Sequence, residues 1–369
     1  MIIERVDLYH LRMPLVSAFE TSFGRIQSRH CLLLVVRSGD LLGYGECAAD
    51  RLPGYSYETT GTAWHILAEF IVPMILGKDL SNPADIHRFT AHVRGHPLAK
   101  AGLELALWDL FGKLEGRALV EMLGGQRRQV EVGVSVGLQA SPQRLVHVVG
   151  DYLDQGYRRI KIKIKPGRDV KDALAVRRAF PDIRLQVDAN SAYTLETAVR
   201  LKPMDDLGLL LIEQPLAEDD LWDHSRLQAE LSTPVCLDES ILSARHARQA
   251  LEMGACRVIN IKPGRVGGLS QAVEIHDLCS SRGVPVWCGG MLETGVGRAA
   301  NLALASLPGF SLPGDISASD RYYKEDITYQ RFVLNPDSTI TVPSGPGLGV
   351  NIDPAALKSY TLNRLTLPG

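Results

Sequence analysis

From about residue 130 onward the chain repeats one unit: a short apolar run rich in β-branched residues, a turn, and a helical pattern. VEVGVSVG is followed by PQRLVHVVGDYLDQG, RIKIKIK by VKDALAVRRAF, LQVDAN by TLETAVRL, and LLLIEQP by DLWDHSRLQAEL. VCLDES, VINIKP and VPVWCGG lead in the same way into ARHARQALEMG, LSQAVEIHDLCSSRG and GVGRAANLALASL, while a last short run, FSLPGD, has no helix after it. Apolar runs of this length bounded by turns read as strands buried on both faces, and such strands belong to parallel sheets. Eight strand candidates with seven helices between them predict an α/β chain built as a (β/α)7β TIM-like barrel.

The first part of the chain reads differently. IIERVDLYHLRM and CLLLVVRSGDLLGYGECA form antiparallel strands joined by glycine-containing turns, and helical patterns follow at 61–76 and 98–115, the second ending at Gly116. Strands followed by helices predict an N-terminal α+β capping domain over 1–125. The barrel then spans 126–320, and 321–369, which lacks the barrel period, is expected to return to the capping domain.

Composition narrows the function classes. A formal net charge of −2 argues against electrostatic nucleic-acid binding. No apolar run approaches the ~20 residues of a membrane span, and MIIERVDLYH lacks the basic start and apolar stretch of a signal peptide, so a cytoplasmic protein is expected. The six cysteines show no CxxC spacing and are expected to be buried, reduced thiols.

Five of the predicted strands end in charge: Lys161 and Lys163, Asp188, Glu213, Asp238, and Lys262. Taken singly, a strand-end lysine is a solvated surface group and an acid before a turn is a helix cap. Five in succession require another account. The lysines fall on strands 2 and 6, opposite each other in a ring of eight, and the acids at 188, 213 and 238, each 25 residues after the last, fill the arc between. Barrel active sites form at the C-terminal mouth, so the pattern predicts an acidic cup flanked by two ammonium groups.

Three carboxylates in one mouth repel unless a cation lies among them, and oxygen-only ligands favour a hard divalent ion, Mg²⁺ or Mn²⁺. A substrate carboxylate bound there gains charge as its α-proton leaves, and a metal stabilises that enediolate as a Lewis acid. Lys161 and Lys163, two apart on one strand, point the same way and each is expected to disfavour the other's charge, leaving Lys163 able to accept a proton with Lys161 as its electrostatic neighbour. Lys262 faces the opposite side. Two acid/base groups on opposite faces permit racemisation or epimerisation, and a leaving group at the β-carbon allows elimination from the same intermediate.

KIKIK, VDAN, IEQP, LDES and NIKPGRVGG resemble the enolase superfamily, in its muconate-lactonizing-enzyme-like subgroup, whose strand-6 base is lysine. The mandelate-racemase type would need a His–Asp pair, and no histidine ends a strand here. PLVSAFETSFG, PVWCGGMLETGVGRAANLALASLP and LPGDISASDRYYKEDI are similar to the N-succinylamino acid racemase and o-succinylbenzoate synthase family over nearly the whole chain. The resemblance implies Asp188, Glu213 and Asp238 as metal ligands and Lys163 and Lys262 as acid/base lysines supported by Lys161. It further implies Asn190 and Glu239 beside the metal strands and Arg265 near Lys262, a position associated with racemase-competent members. Ser135 and the backbone of Gly290, Met291 and Leu292 would hold the far end of the substrate, with Phe19 and Phe23 in one mobile loop over the mouth and Tyr55 in a second. Dipeptide epimerases of the subgroup carry Asp-x-Asp after the last strand; Asp315-Ile316-Ser317 breaks that pattern and favours an N-acylated substrate.

The expected function is therefore that of a Mg²⁺-dependent isomerase or lyase acting on a small-molecule carboxylate: N-succinyl or N-acyl amino acid racemase, o-succinylbenzoate synthase of menaquinone biosynthesis, or both. The catalytic residues are common to the two and do not separate them. Another muconate-lactonizing-type member, a dipeptide epimerase or a cycloisomerase, is the alternative. A metal-binding scaffold without activity would have lost a ligand or lysine, and an aldolase of another barrel family needs a Schiff-base lysine or histidine metal ligands. No nucleic-acid or membrane partner is expected, and a homo-oligomer is.

Overall fold

The structure is a computed structural model describing residues 1–369. In the N-terminal part, β1 (Arg5–Thr21), β2 (Gly24–Ser38) and β3 (Leu41–Cys47) form an antiparallel meander. Helix α1 (Pro97–Glu115) packs on β3 and stops at Gly116, whose φ of 66° is the left-handed conformation that glycine adopts without a Cβ penalty. The approach of helix to sheet requires glycine: a Cβ on Gly45 would stand 2.1 Å from the Gly102 carbonyl oxygen. Leu8, Leu34 and Val36 of the sheet and Leu103 and Leu107 of α1 share one apolar core.

The barrel strands are β4 (Val134–Val136), β5 (Arg159–Lys163), β6 (Arg184–Asp188), β7 (Ile212–Glu213), β8 (Val235–Leu237), β9 (Val258–Ile261) and β10 (Val286–Cys288), all parallel and hydrogen-bonded in sequence order. The run 310–315 lies between the two ends of this sheet. Asp315 N–H donates to the Cys288 carbonyl at 2.9 Å on one side, and Gly133 N–H donates to the Gly314 carbonyl at 2.8 Å on the other. The eighth run thus joins β10 to the stretch leading into β4, but through isolated bridges rather than a regular strand. Pro313 has no N–H to give to a ladder there. The architecture is the predicted (β/α)7β barrel with an α+β capping domain.

The expected helix TLETAVRL is α-helical only over Leu195–Ala198 and continues as a 3-10 helix through Val199–Leu207. Pro203 supplies the reason, since it lacks the donor an α-helical ladder would need. The last strand, β11 (Thr361–Pro368), pairs antiparallel with β1, from Arg5 opposite Pro368 to Leu11 opposite Thr361. No helix is long and apolar enough to cross a membrane.

Two buried carboxylates seat the N-terminal part on the barrel. Glu104 of α1 accepts from the backbone N–H groups of Leu269 and Ser270, at the start of helix α2 (Leu269–Ser281). Glu46 of β3 accepts from Thr294 and Gly297 N–H, each at 3.1 Å, and from the Thr294 hydroxyl at 2.6 Å, at the start of helix α3 (Gly295–Ala305). Helix N-termini expose unpaired donors with partial positive charge, so an acid from the neighbouring module satisfies both.

Candidate active site

The strand register places the charged residues in a row. Lys163 of β5 stands opposite Asp188 of β6, and Asp188 opposite Glu213 of β7. Glu213 is opposite Cys236, so Asp238, two residues further on and just past the end of β8, falls on the same face. Lys262 follows the end of β9. All six of Lys161, Lys163, Asp188, Glu213, Asp238 and Lys262 are buried, at 7% exposure or less.

Ammonium and carboxylate groups interlock across the cup. Lys163 Nζ donates to Asp188 Oδ2 and Asn190 Oδ1, both at 2.6 Å, and Lys262 Nζ donates to Asp238 Oδ2 at 2.6 Å. Lys161 Nζ lies 3.0 Å from Glu213 Oε2, 3.1 Å from Asp188 Oδ2 and 2.5 Å from Asp315 Oδ2, with the Trp287 ring 4.9 Å away. Arg265 binds Asp238 and donates to the Ile241 and Asn260 carbonyls. Asn190 Nδ2 reaches Glu239 at 2.9 Å, and the Asn190 backbone N–H donates to Asp188 Oδ1 at 3.1 Å from a left-handed φ of 43°.

The electrostatics follow from this packing. Burial opposes ionisation of Asp188, but Lys163 and Lys161 hold its carboxyl down to about 2. Asp238 is likewise held below the usual range, by Lys262 and Arg265 against its burial. Glu213 is pushed well up by burial and by the charge of Asp188. Burial and the charges of Asp238 and Asp188 raise Glu239 to about 8. The expected mutual disfavouring of charge by Lys161 and Lys163 is outweighed at Lys161. Burial disfavours its charge, yet Asp315, Glu213 and Asp188 outweigh burial and hold Lys161 well above an ordinary lysine. Lys262 is also raised, with Asp238 overcoming burial. Opposite charges within 3 Å dominate here over the repulsion between neighbouring lysines.

No three acidic, histidine or cysteine side chains close on a common point at metal-binding distances; the ammonium groups stand between the acids. The donor chemistry nonetheless fits a hard divalent cation. The buried carboxylates of Asp188, Glu213 and Asp238 are near enough for Asp188 and Asp238 each to raise the pKa of Glu213, and the buried Oε2 of Glu239 has no hydrogen-bond partner.

A pocket opens above the cup. Ser135, with its hydroxyl unpaired, lines it together with Lys161, Lys163 and Lys262 and with Gly290, Met291 and Leu292. Phe19, Phe23 and Tyr55 also line it. The segment carrying the two phenylalanines, expected as a mobile loop, is the end of the β1–β2 hairpin: Phe19 pairs with Ile26 and Thr21 with Gly24 after a register shift beyond Pro14. Its aromatic and β-branched residues extend the ladder past the sheet to the barrel mouth. Tyr55 does lie in a connecting loop, and its hydroxyl donates to Asp238 Oδ1 at 2.8 Å.

Sequence reasoning passed over several members of this network. Asp315 was noted only for breaking the Asp-x-Asp pattern, yet it binds Lys161 and lies 2.6 Å from Arg159 Nη1. It ends the eighth run, so the strand-end rule that found the other acids could have found it. Asn260 donates to Glu213 Oε1 at 2.7 Å, and Gln214 accepts from the backbone N–H of Asp238 at 2.9 Å. Arg29 of β2 lines the pocket, paired with Asp50 at 3.1 Å.

The mandelate racemase / muconate lactonizing enzyme N-terminal domain model matches residues 5–124, and the enolase C-terminal domain-like model matches 144–356. The chain is 52% identical to an o-succinylbenzoate synthase of Geobacillus kaustophilus, covering 97% of this chain and 96% of that protein. It belongs to the o-succinylbenzoate synthase and N-succinylamino acid racemase family of the enolase superfamily. An N-succinylamino acid racemase of Thermus thermophilus is 50% identical over 98% of this chain and 97% of its own length. A crystal structure of an enolase superfamily member from Listeria innocua superposes with a TM-score of 0.96 at 42% identity, covering 100% of this chain and 99% of that one. This enolase superfamily member therefore shares its whole architecture with enzymes of the family.

Proposed function

We propose that this protein removes the α-proton of a carboxylate substrate through an enediolate, racemising N-succinyl or other N-acyl amino acids and forming o-succinylbenzoate by dehydration. One observation carries the reading: Lys163 and Lys262 are held by different acids, Asp188 and Asp238, on opposed arms of a single acidic cup beneath one pocket that both lysines line. Relatives of both activities at 52% and 50% identity support the two reactions together. Asp188, Glu213 and Asp238 would hold Mg²⁺ or Mn²⁺, which when bound supplies Lewis-acid stabilisation of the charge developing on the substrate carboxylate.

Lys163 takes the proton from one face and Lys262 returns one to the other, so the configuration inverts. With a hydroxyl on the β-carbon, the lysine that took the proton can return it to the departing oxygen, which gives elimination on one face. Each lysine must shed its own proton before acting as base, and its carboxylate partner sets how tightly that proton is held. Lys161, tied to three acids, keeps its charge and serves as a fixed positive group beside the cup. Phe19, Phe23, Met291 and Leu292 exclude water from the reacting carbon, which strengthens the electrostatic terms inside. Ser135, Gly290 and Leu292 are the proposed contacts of the N-acyl arm, and Asn190, Glu239 and Arg265 orient the lysines and acids. The break in the Asp-x-Asp pattern and the engagement of Asp315 with Arg159 and Lys161 disfavour a substrate with a free amino terminus.

The test follows α-hydrogen exchange of each enantiomer of an N-succinyl amino acid in deuterated water by NMR. Lys163→Ala and Lys262→Ala are each expected to abolish racemisation while sparing exchange of one enantiomer, a different one in each variant. Wild-type exchange of both enantiomers in both variants would end the two-lysine reading.

A further inference from the structure

The two lysines are supported unequally. Both polar partners of Lys163, Asp188 and Asn190, belong to the barrel. Lys262 has one barrel partner, Asp238, and its second comes from the N-terminal module: Nζ donates to the Tyr55 hydroxyl at 3.1 Å while the Tyr55 ring lies 4.5 Å from the same ammonium. The hydroxyl accepts from Lys262 and donates its own proton to Asp238 Oδ1 at 2.8 Å. The loop bearing Tyr55 also packs on the hairpin tip, for a Cβ at Gly54 would stand 2.6 Å from the Phe23 ring. A single aromatic side chain therefore links the covering elements to one lysine and bypasses the other.

We infer that Tyr55 is a positioning residue for Lys262, with Asp238 its second anchor, and not for Lys163, so that seating of the 48–59 loop governs proton transfer on one face of the substrate and leaves the other face to the barrel. The physical reason is the donor geometry. An ammonium on a four-carbon stem has many rotamers, and a hydrogen bond together with a ring face on one side and a carboxylate on the other restricts it to one direction. Without the hydroxyl, Lys262 keeps Asp238 but loses the constraint that aims it into the pocket, and misplacement by about 1 Å costs on the order of a hundredfold in rate.

This inference rests on the two-lysine reading, so the experiment measures both. Lys163→Ala and Lys262→Ala first assign one enantiomer to each lysine by NMR exchange. Tyr55→Phe, which keeps the ring and removes only the hydroxyl, is then expected to shift the ratio of the two exchange rates at least tenfold against the enantiomer assigned to Lys262. Asn190→Ala, which removes the uncharged acceptor of Lys163, is expected to shift the ratio the other way. A general loss of structure would slow both exchanges together and leave the ratio unmoved. If the lysine variants separate the enantiomers but Tyr55→Phe, shown by circular dichroism to be folded, changes both rates by one factor, the role of Tyr55 is overturned and the two-lysine reading stands. If the lysine variants themselves fail to separate them, both fall.

Discussion

Glu46 provides a sharp test of how the N-terminal module is held on the barrel. Its carboxyl is buried at the start of α3, and burial, then the negative charge of Glu293, raise its pKa to about 7 in spite of hydrogen bonds from Thr294 and Gly297. Glu46 therefore binds its proton more tightly in the folded chain than in the unfolded one. The stability that follows is fully present below pH ~4.5 and is lost as pH rises through about 7. The part of that stability lost between pH 5 and pH 8 corresponds to ~2.5 kcal/mol. Glu46→Gln keeps an acceptor for the helix N-terminus and removes the charge, so relative to wild type it should gain stability between pH 5 and pH 8. At about 2.1 cal/mol/K per residue, the unfolding entropy of a chain of 369 residues converts that gain into roughly 3 °C. Scanning calorimetry of both proteins at the two pH values measures the difference in Tm directly. A difference that stays constant would refute the raised pKa, and a fall at pH 8 would show that the amides of α3 favour the charged acid more strongly than burial and Glu293 oppose it.

Chelator-treated protein should lose α-hydrogen exchange and recover it with Mg²⁺ or Mn²⁺; full exchange after chelation, checked by elemental analysis, would remove the metal from the mechanism. Gly45→Ala forces a Cβ to 2.1 Å from the Gly102 carbonyl oxygen, and because that oxygen and the nearby Ala106 nitrogen are backbone atoms, the cost should be about 1–3 kcal/mol or more in a denaturant titration. An unchanged midpoint would mean that α1 shifts freely on the sheet.

The strand-end acids and lysines were legible in the sequence because a parallel strand in a barrel is a short apolar run, and a charge at its end can only be at the mouth. Asp188, Glu213 and Asp238 needed no knowledge of distant contacts. The same rule weakened where the run itself was poor: FSLPGD contains a proline, forms isolated bridges, and hid Asp315. Glu46 and Glu104 were invisible for another reason. Each lies in a segment that reads as ordinary strand or helix, and its partner is a helix terminus between 165 and 251 residues away.

What the sequence determined by itself was local and periodic: the repeat of strand and helix, the row of charges, and hence the acidic cup with lysines at its sides. Only the tertiary structure decided which acid holds which lysine, that Asp315 and Trp287 enclose Lys161, that the strands run on to Thr21 and Gly24, and that Tyr55 reaches Lys262 from the other module. The protonation state went the same way. Repulsion between two lysines on one strand can be read from their spacing, but the attraction that overcomes it comes from carboxylates on other strands. Coulomb energy depends on distance through space and on burial, and the chain acquires both only when the ring closes.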